Sequence, residues 1–264
     1  MGRAIVITSG KGGVGKTTAT ANLGAGLAQL GNSVVLIDAD IGLRNLDVVM
    51  GLENRIVFHV VDVIMGRCSA QKALIKDRRQ ENLYLLPASQ TDEKDAVTPE
   101  QMKALIVELK SVFDFVIIDC PAGIEQGFKN AVAGADEAIV VATPEVSSIR
   151  DADRVVGLLA ANSIPTSLIV NRISPHMVKR GDMLSQADVI EILALELLGG
   201  VPLDEEIVAS TNRGMPASVN GRSAAAKAFM SISRRIAGFE VDVERQTGIG
   251  FFAKLGRALG LSPA

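Results

Sequence analysis

Short apolar runs, each about the length of a strand and nearly free of polar residues, recur along the chain. They are Ala4-Ile5-Val6-Ile7, Ser33-Val34-Val35-Leu36-Ile37-Asp38, Asn82-Leu83-Tyr84-Leu85-Leu86-Pro87-Ala88, Phe113-Asp114-Phe115-Val116-Ile117-Ile118-Asp119, Ala138-Ile139-Val140-Val141-Ala142-Thr143 and Ser167-Leu168-Ile169-Val170-Asn171. A strand with one wet face alternates apolar and polar positions; a run apolar at almost every position predicts a strand covered on both faces, as in a parallel sheet. The first two runs are separated by the Ala/Leu-rich segment from Ala19 to Leu30, which predicts a helix. A second helix starts at Thr98-Pro99-Glu100-Gln101, with Thr98 as N-cap, Pro99 at the first helical position and an acidic first turn. A third follows Pro144-Glu145 and carries Arg150, Asp151, Asp153 and Arg154, charges that by themselves read as a solvated face. The pattern is weaker between residues 41 and 82, where Gly42 to Asp47 reads as a loop and Phe58 to Met65 as a short buried helix; Thr91 to Val97 is a polar loop. The fold class expected is α/β, a mostly parallel central sheet with helices on both faces.

Glycines decide what lies at the end of the first strand. Gly10-Lys11-Gly12-Gly13-Val14-Gly15-Lys16-Thr17-Thr18 joins the first strand to the first helix. In that setting a glycine-rich turn directs successive backbone N–H groups at a polyphosphate, the helix dipole adds positive potential, Lys16 reaches the β/γ oxygens, and the Thr17 hydroxyl is a natural Mg²⁺ ligand. Gly10, Gly12 and Gly15 also spell the dinucleotide fingerprint, with Asp38 at the end of the next strand, but a dinucleotide turn has no use for the Lys16-Thr17 pair. Two further strands end in carboxylates. Asp38-Ala39-Asp40 offers Asp38 for the Mg²⁺ shell and Asp40 to orient or deprotonate a water, and Asp119, followed by Cys120-Pro121-Ala122-Gly123, is placed to hold a Mg²⁺ water beside a γ-phosphate-sensing loop. Asn171-Arg172 and Val201-Pro202 each close a strand; a side-chain amide can pair with an adenine edge and an arginine plane can stack on it.

Composition narrows the field. The chain has 264 residues and a net charge of −3, so it is long enough for one large α/β domain and, as a whole, is no electrostatic ligand for nucleic acid; no specific nucleic acid is expected. No apolar run approaches the roughly 20 residues that span a bilayer, and the first strand begins too early for a signal peptide, which predicts a cytoplasmic protein. Cys68 and Cys120 are far apart and outside any C-x-x-C pair, and His59 and His176 are scattered, so a zinc site, a disulfide or a histidine triad has little to build on.

The end of the chain has a different character. Residues 1–239 are expected to form the main domain, 240–248 a polar linker and 249–264 an amphipathic tail. On a helix, Phe251, Phe252, Leu255 and Leu259 share one face while Lys254 and Arg257 lie opposite. The pattern alone equally suits a helix docked on its own domain, and the adjacent phenylalanines backed by two cations favour a lipid interface, an anionic membrane surface. One such short anchor is marginal, and two copies in a dimer bind far more firmly.

Taken together, these motifs resemble a known family. Lys11-Gly12-Gly13-Val14-Gly15-Lys16-Thr17-Thr18 resembles the deviant Walker A loop of the MinD/ParA group of P-loop ATPases, and the runs Asp38 to Asp47, Asp119 to Gly123 and Pro144 to Asp151 resemble the cell-division branch of that group. The resemblance covers nearly the whole chain. It implies a P-loop NTPase fold and an ATPase that dimerises with ATP bound, exposes paired tails to the inner face of the cell membrane, and is released when hydrolysis splits the dimer. Family partners are the division inhibitor MinC and the ATPase activator MinE. By motif position, Lys16, Thr17 and the loop amides bind phosphates and Mg²⁺, Lys11 acts across the dimer, Asp40 handles water, and Asn171 and Pro202 border adenine. The helix bearing Glu145 at its start, with Asp151 and Asp153, becomes a dimer and partner face rather than a solvated one. Two relatives of this function stay in competition: a ParA-like DNA-partitioning ATPase, which needs a basic surface and has no need of Phe251 and Phe252, and a nucleotide-driven electron donor, which needs bridging cysteines.

Overall fold

The computed structural model describes residues 1–93 and 95–242. The predicted tail residues Phe251, Phe252, Lys254, Leu255, Arg257 and Leu259, and most of the predicted linker, lie outside the described residues. Eight strands, β1 (Arg3–Thr8), β2 (Val34–Asp38), β3 (Ile75–Lys76), β4 (Leu83–Leu86), β5 (Phe115–Asp119), β6 (Glu137–Ala142), β7 (Thr166–Ile173) and β8 (Glu196–Pro202), form one sheet in the order β3-β4-β2-β5-β1-β6-β7-β8. Every pairing is parallel except the short β3, which runs antiparallel to β4 at the edge. Six of the strands coincide with the apolar runs. β8 is legible only at its last residues, and β3 is too short to show a pattern.

Both faces of the sheet are buried, as the unbroken runs predict. Along β1, Ala4 and Val6 join one apolar cluster while Ile5 and Ile7 join the other. The first cluster is roofed by the helices Pro99–Lys110 (Met102, Ile106) and Val146–Ala161 (Ile149, Val155, Leu159). The second is roofed by Lys16–Gln29 (Leu23, Leu27) and Ala224–Ile236, where Phe229 is completely buried. A phenylalanine sealed in this way contributes roughly 1.5–3 kcal/mol relative to an exposed one.

Local signals set several helix ends. Thr98 forms the expected capping box: its hydroxyl accepts from the Gln101 N–H and the Gln101 side chain accepts from the Thr98 N–H. The short helix Val60–Ile64 is capped by His59, whose Nδ1 accepts from the Asp62 N–H while Asp62 accepts from the His59 N–H. That is a structural role for a histidine that sequence spacing left unassigned. At the far end, the Arg235 guanidinium donates to the carbonyls of Leu198, Val241 and Asp242, tying the last described residues to β8.

The topology fixes where a ligand fits. From β1 the chain goes first to one side, through β2 and β4, returns to β5, and only then crosses to β6 on the other side of β1. The loops at the carboxyl end of β1 therefore diverge, leaving the crevice that open α/β sheets use for binding. Among the described residues, no helix is long and apolar enough to cross a membrane.

Candidate nucleotide site

The glycine loop sits at that crevice, between β1 and the helix Lys16–Gln29. Gly13 and Gly15 have positive φ, +77° and +101°, separated by Val14, which is buried. Such alternation bends consecutive N–H groups toward one concavity, the nest that receives anions. Lys16 is buried, only 8% exposed, and its Nζ donates to Ser9 Oγ at 3.0 Å; Ser9 Oγ in turn donates to the Lys11 carbonyl at 2.7 Å. Lys11 is exposed at the surface, with Nζ 3.3 Å from Ser147 Oγ on the helix Val146–Ala161. The loop thus carries one buried lysine and one exposed lysine.

Asp38 and Asp119 are register partners on β2 and β5, and Ile7 of β1 is level with Asp119. Both carboxyls are buried. Asp119 Oδ1 accepts from Thr20 Oγ1 at 3.2 Å, and the Thr17 hydroxyl also reaches this carboxylate. Burial, and then the charge of Asp38, push the Asp119 carboxyl up to about 7, against the pull of Thr17 and Lys16. Asp38 is pushed up to about 6, chiefly by burial. Three backbone donors oppose that shift: the N–H of Asp40 at 3.0 Å on Oδ1, and those of Asn45 and Leu46 at 3.2 and 3.1 Å on Oδ2. The structure thereby gives Asp38 a task that the sequence pattern did not reveal, folding residues 39–46 into a fixed loop that sets Asp40 beside the crevice. In the same loop Arg44 pairs with the buried Asp47 at 2.8 Å.

On the other side of β1, the Asn171 side chain is buried against the loop, Nδ2 donating to the Val14 carbonyl at 2.8 Å. Arg172 is exposed with φ +60°, and Pro202 ends β8 opposite Ile173. Gly10 packs directly on the helix Val146–Ala161: a Cβ there would lie 2.0 Å from the Asp151 carbonyl oxygen. Of that helix's predicted contact residues, Glu145 and Asp153 are exposed and Asp151 is half-buried. Gly12 and Gly13 are exposed at the loop crest, and Thr18 follows on the first turn of the helix, its carbonyl accepting from Asn22 Nδ2.

Sequence spacing did not single out Ser9 and Thr20 as site residues. Thr20 was detectable in principle, because it falls one helical turn after Lys16 and so faces the same strand tips. Cys120 is buried and its thiol is pushed up to about 12 by burial, which makes it inert as a nucleophile.

A strand, glycine loop and helix holding a buried lysine, with aspartates at two neighbouring strand tips where the sheet order reverses, define a P-loop nucleoside triphosphatase. Residues 2–161 match a family described as an AAA domain. Across its length the chain is 54% identical to the septum site-determining protein MinD of Bacillus subtilis over 266 residues, 99% of each chain. Among solved structures it is similar to the MinC:MinD cell division protein complex of Aquifex aeolicus (TM-score 0.86, 49% identity, 92% of this chain and 98% of that one). It is also similar to the septum site-determining MinD complexed with Mg-ADP from Pyrococcus horikoshii (TM-score 0.82, 30% identity, 92% and 100%). The chain belongs to the MinD family of septum site-determining ATPases.

Proposed function

We propose that this protein hydrolyses ATP with Mg²⁺, dimerises while ATP is bound, and in that state holds the cytoplasmic face of the cell membrane through its paired tails, positioning the division site. The observation that carries the proposal is the contrast between the two loop lysines: Lys16 is buried beside Ser9, and Lys11 is exposed with its Nζ near Ser147. Lys16, the amides of residues 10–18 and Thr17 would bind the triphosphate, with Asn171, Arg172 and Pro202 bordering the base. Lys11 would reach the phosphates of a second copy, where water exclusion strengthens its electrostatic effect on the transition state.

The Mg²⁺ site is suited to its ion by its donors: Asp38 and Asp119 are register partners on adjacent strand tips, and the Thr17 hydroxyl reaches the Asp119 carboxylate. Thr17, Asp38 and Asp119 are the residues that would hold the ion, directly or through water. When bound, it supplies neutralisation of the phosphate charge. Asp40 would orient the attacking water and accept its proton.

The helix Val146–Ala161, with Glu145, Asp151 and Asp153, would present the face for the dimer and for partners, since the glycine loop packs on its backbone. A MinC-like division inhibitor is the expected partner, supported by the inhibitor complex of the Aquifex relative; a MinE-like activator of hydrolysis is the other. The deciding experiment is sedimentation with acidic liposomes in ATP and in ADP, using the full chain and a form lacking residues 249–264. Pelleting only with ATP and only with the tail is expected. Equal pelleting of both forms, or in both nucleotides, rules the membrane cycle out.

A further inference from the structure

The Asn171 amide does something that bordering a base does not require. Its Nδ2 donates to the Val14 carbonyl across 157 positions of sequence, and the bond is buried. In a trans peptide the carbonyl and the following N–H point to opposite sides. A side chain that holds the Val14 oxygen outward therefore turns the Gly15 N–H toward the loop's concavity. Were that peptide rotated, its oxygen would face the phosphates and repel them.

Two further observations fit the same purpose. A Cβ on residue 15 would lie 2.4 Å from Asn171 Nδ2, so Gly15 is needed for room as well as for its φ of +101°. Asn171 Oδ1 accepts from the Arg172 N–H at 3.0 Å, across the left-handed bend at Arg172, so the strand end itself orients the amide.

We propose that Asn171 is a positioning residue of the phosphate loop, fixing the Val14–Gly15 peptide so that its N–H faces the triphosphate, in addition to any contact with the base. This inference rests on the ATPase reading. It makes the base end of the site and its phosphate end mechanically continuous, because one side chain closes β7 and holds the loop.

Inorganic Mg-tripolyphosphate separates the two roles, since it carries no base. In calorimetric titration of the full chain, Asn171→Ala is expected to weaken tripolyphosphate binding about tenfold, the loss of roughly one buried hydrogen bond. Amide hydrogen exchange over residues 10–18 of the nucleotide-free protein is expected to speed up in the same variant while the sheet stays protected. Where Asn171→Ala does not fold, Asn171→Ser, polar but too short to reach Val14, serves for both measurements. Unchanged exchange in the loop, or a variant that loses affinity for ATP but none for tripolyphosphate, overturns the proposal. Failure of the unaltered protein to bind MgATP would overturn the ATPase reading instead, and the exchange comparison would still judge Asn171.

Discussion

The two buried aspartates are where single residues trade stability for chemistry. A free carboxyl titrates near 4, whereas burial raises Asp38 to about 6 and Asp119 to about 7 in the folded chain. An acid whose folded pKa lies above its unfolded one disfavours the native state as soon as pH exceeds the unfolded value, and the cost stops growing above the folded value. For this pair the loss accumulates between about pH 4 and pH 7 and is complete at about pH 8. Asp119→Asn keeps an oxygen for the Thr20 hydroxyl and removes the charge, so without nucleotide or Mg²⁺ it should raise the melting midpoint at pH 8 and raise it less at pH 5. The same substitution should weaken Mg-dependent ATP binding. A lower midpoint at pH 8, read by thermal melts at both pH values, would mean that the charge is stabilised by its surroundings and that the electrostatic account is mistaken.

Between elements, a close backbone approach is that of the glycine loop to the helix Val146–Ala161. The atom facing Gly10 is a backbone oxygen, which has no flexible end to swing away. Gly10→Ala must push the helix off the loop, and overpacking of this kind costs about 1–3 kcal/mol; a lowered melting midpoint together with lost ATPase activity is expected. An alanine variant with unaltered melting and turnover would show that loop and helix are not rigidly joined. This contact also marks the limit of what the sequence reveals. The loop, the aspartates at strand tips and the parallel sheet were legible because each is written in contiguous residues: glycine spacing, or apolar runs ending in a carboxylate. The packing of Gly10 on Asp151, the hold of Asn171 on Val14 and the grip of Asp38 on residues 40, 45 and 46 join positions whose spacing follows from the fold. His59 escaped notice for a different reason, since an imidazole acceptor at an N-cap is uncommon beside Ser, Thr, Asp or Asn.

For the whole molecule, the proposed cycle asks how one phosphate group could govern association. A ligand shifts an equilibrium only by binding one state better than the other, so the γ-phosphate must meet something in the dimer that the monomer lacks. Lys11 is suited to that part because its charge is exposed and its hydrogen bond to Ser147, at 3.3 Å on the surface, is weak enough to exchange for a phosphate. Removing it should cost the monomer little, within about 0.5 kcal/mol as for most surface changes. Lys11→Ala is therefore expected to fold and to bind ATP, yet to stay monomeric by light scattering in Mg·ATP, whereas Lys16→Ala should fail at the earlier step of holding the triphosphate. If attachment to lipid runs through two tails at once, as proposed, the Lys11 variant should also lose ATP-dependent liposome binding with its tail intact. A Lys11→Ala protein that dimerises normally with ATP would show that the second charge at the interface comes from another residue.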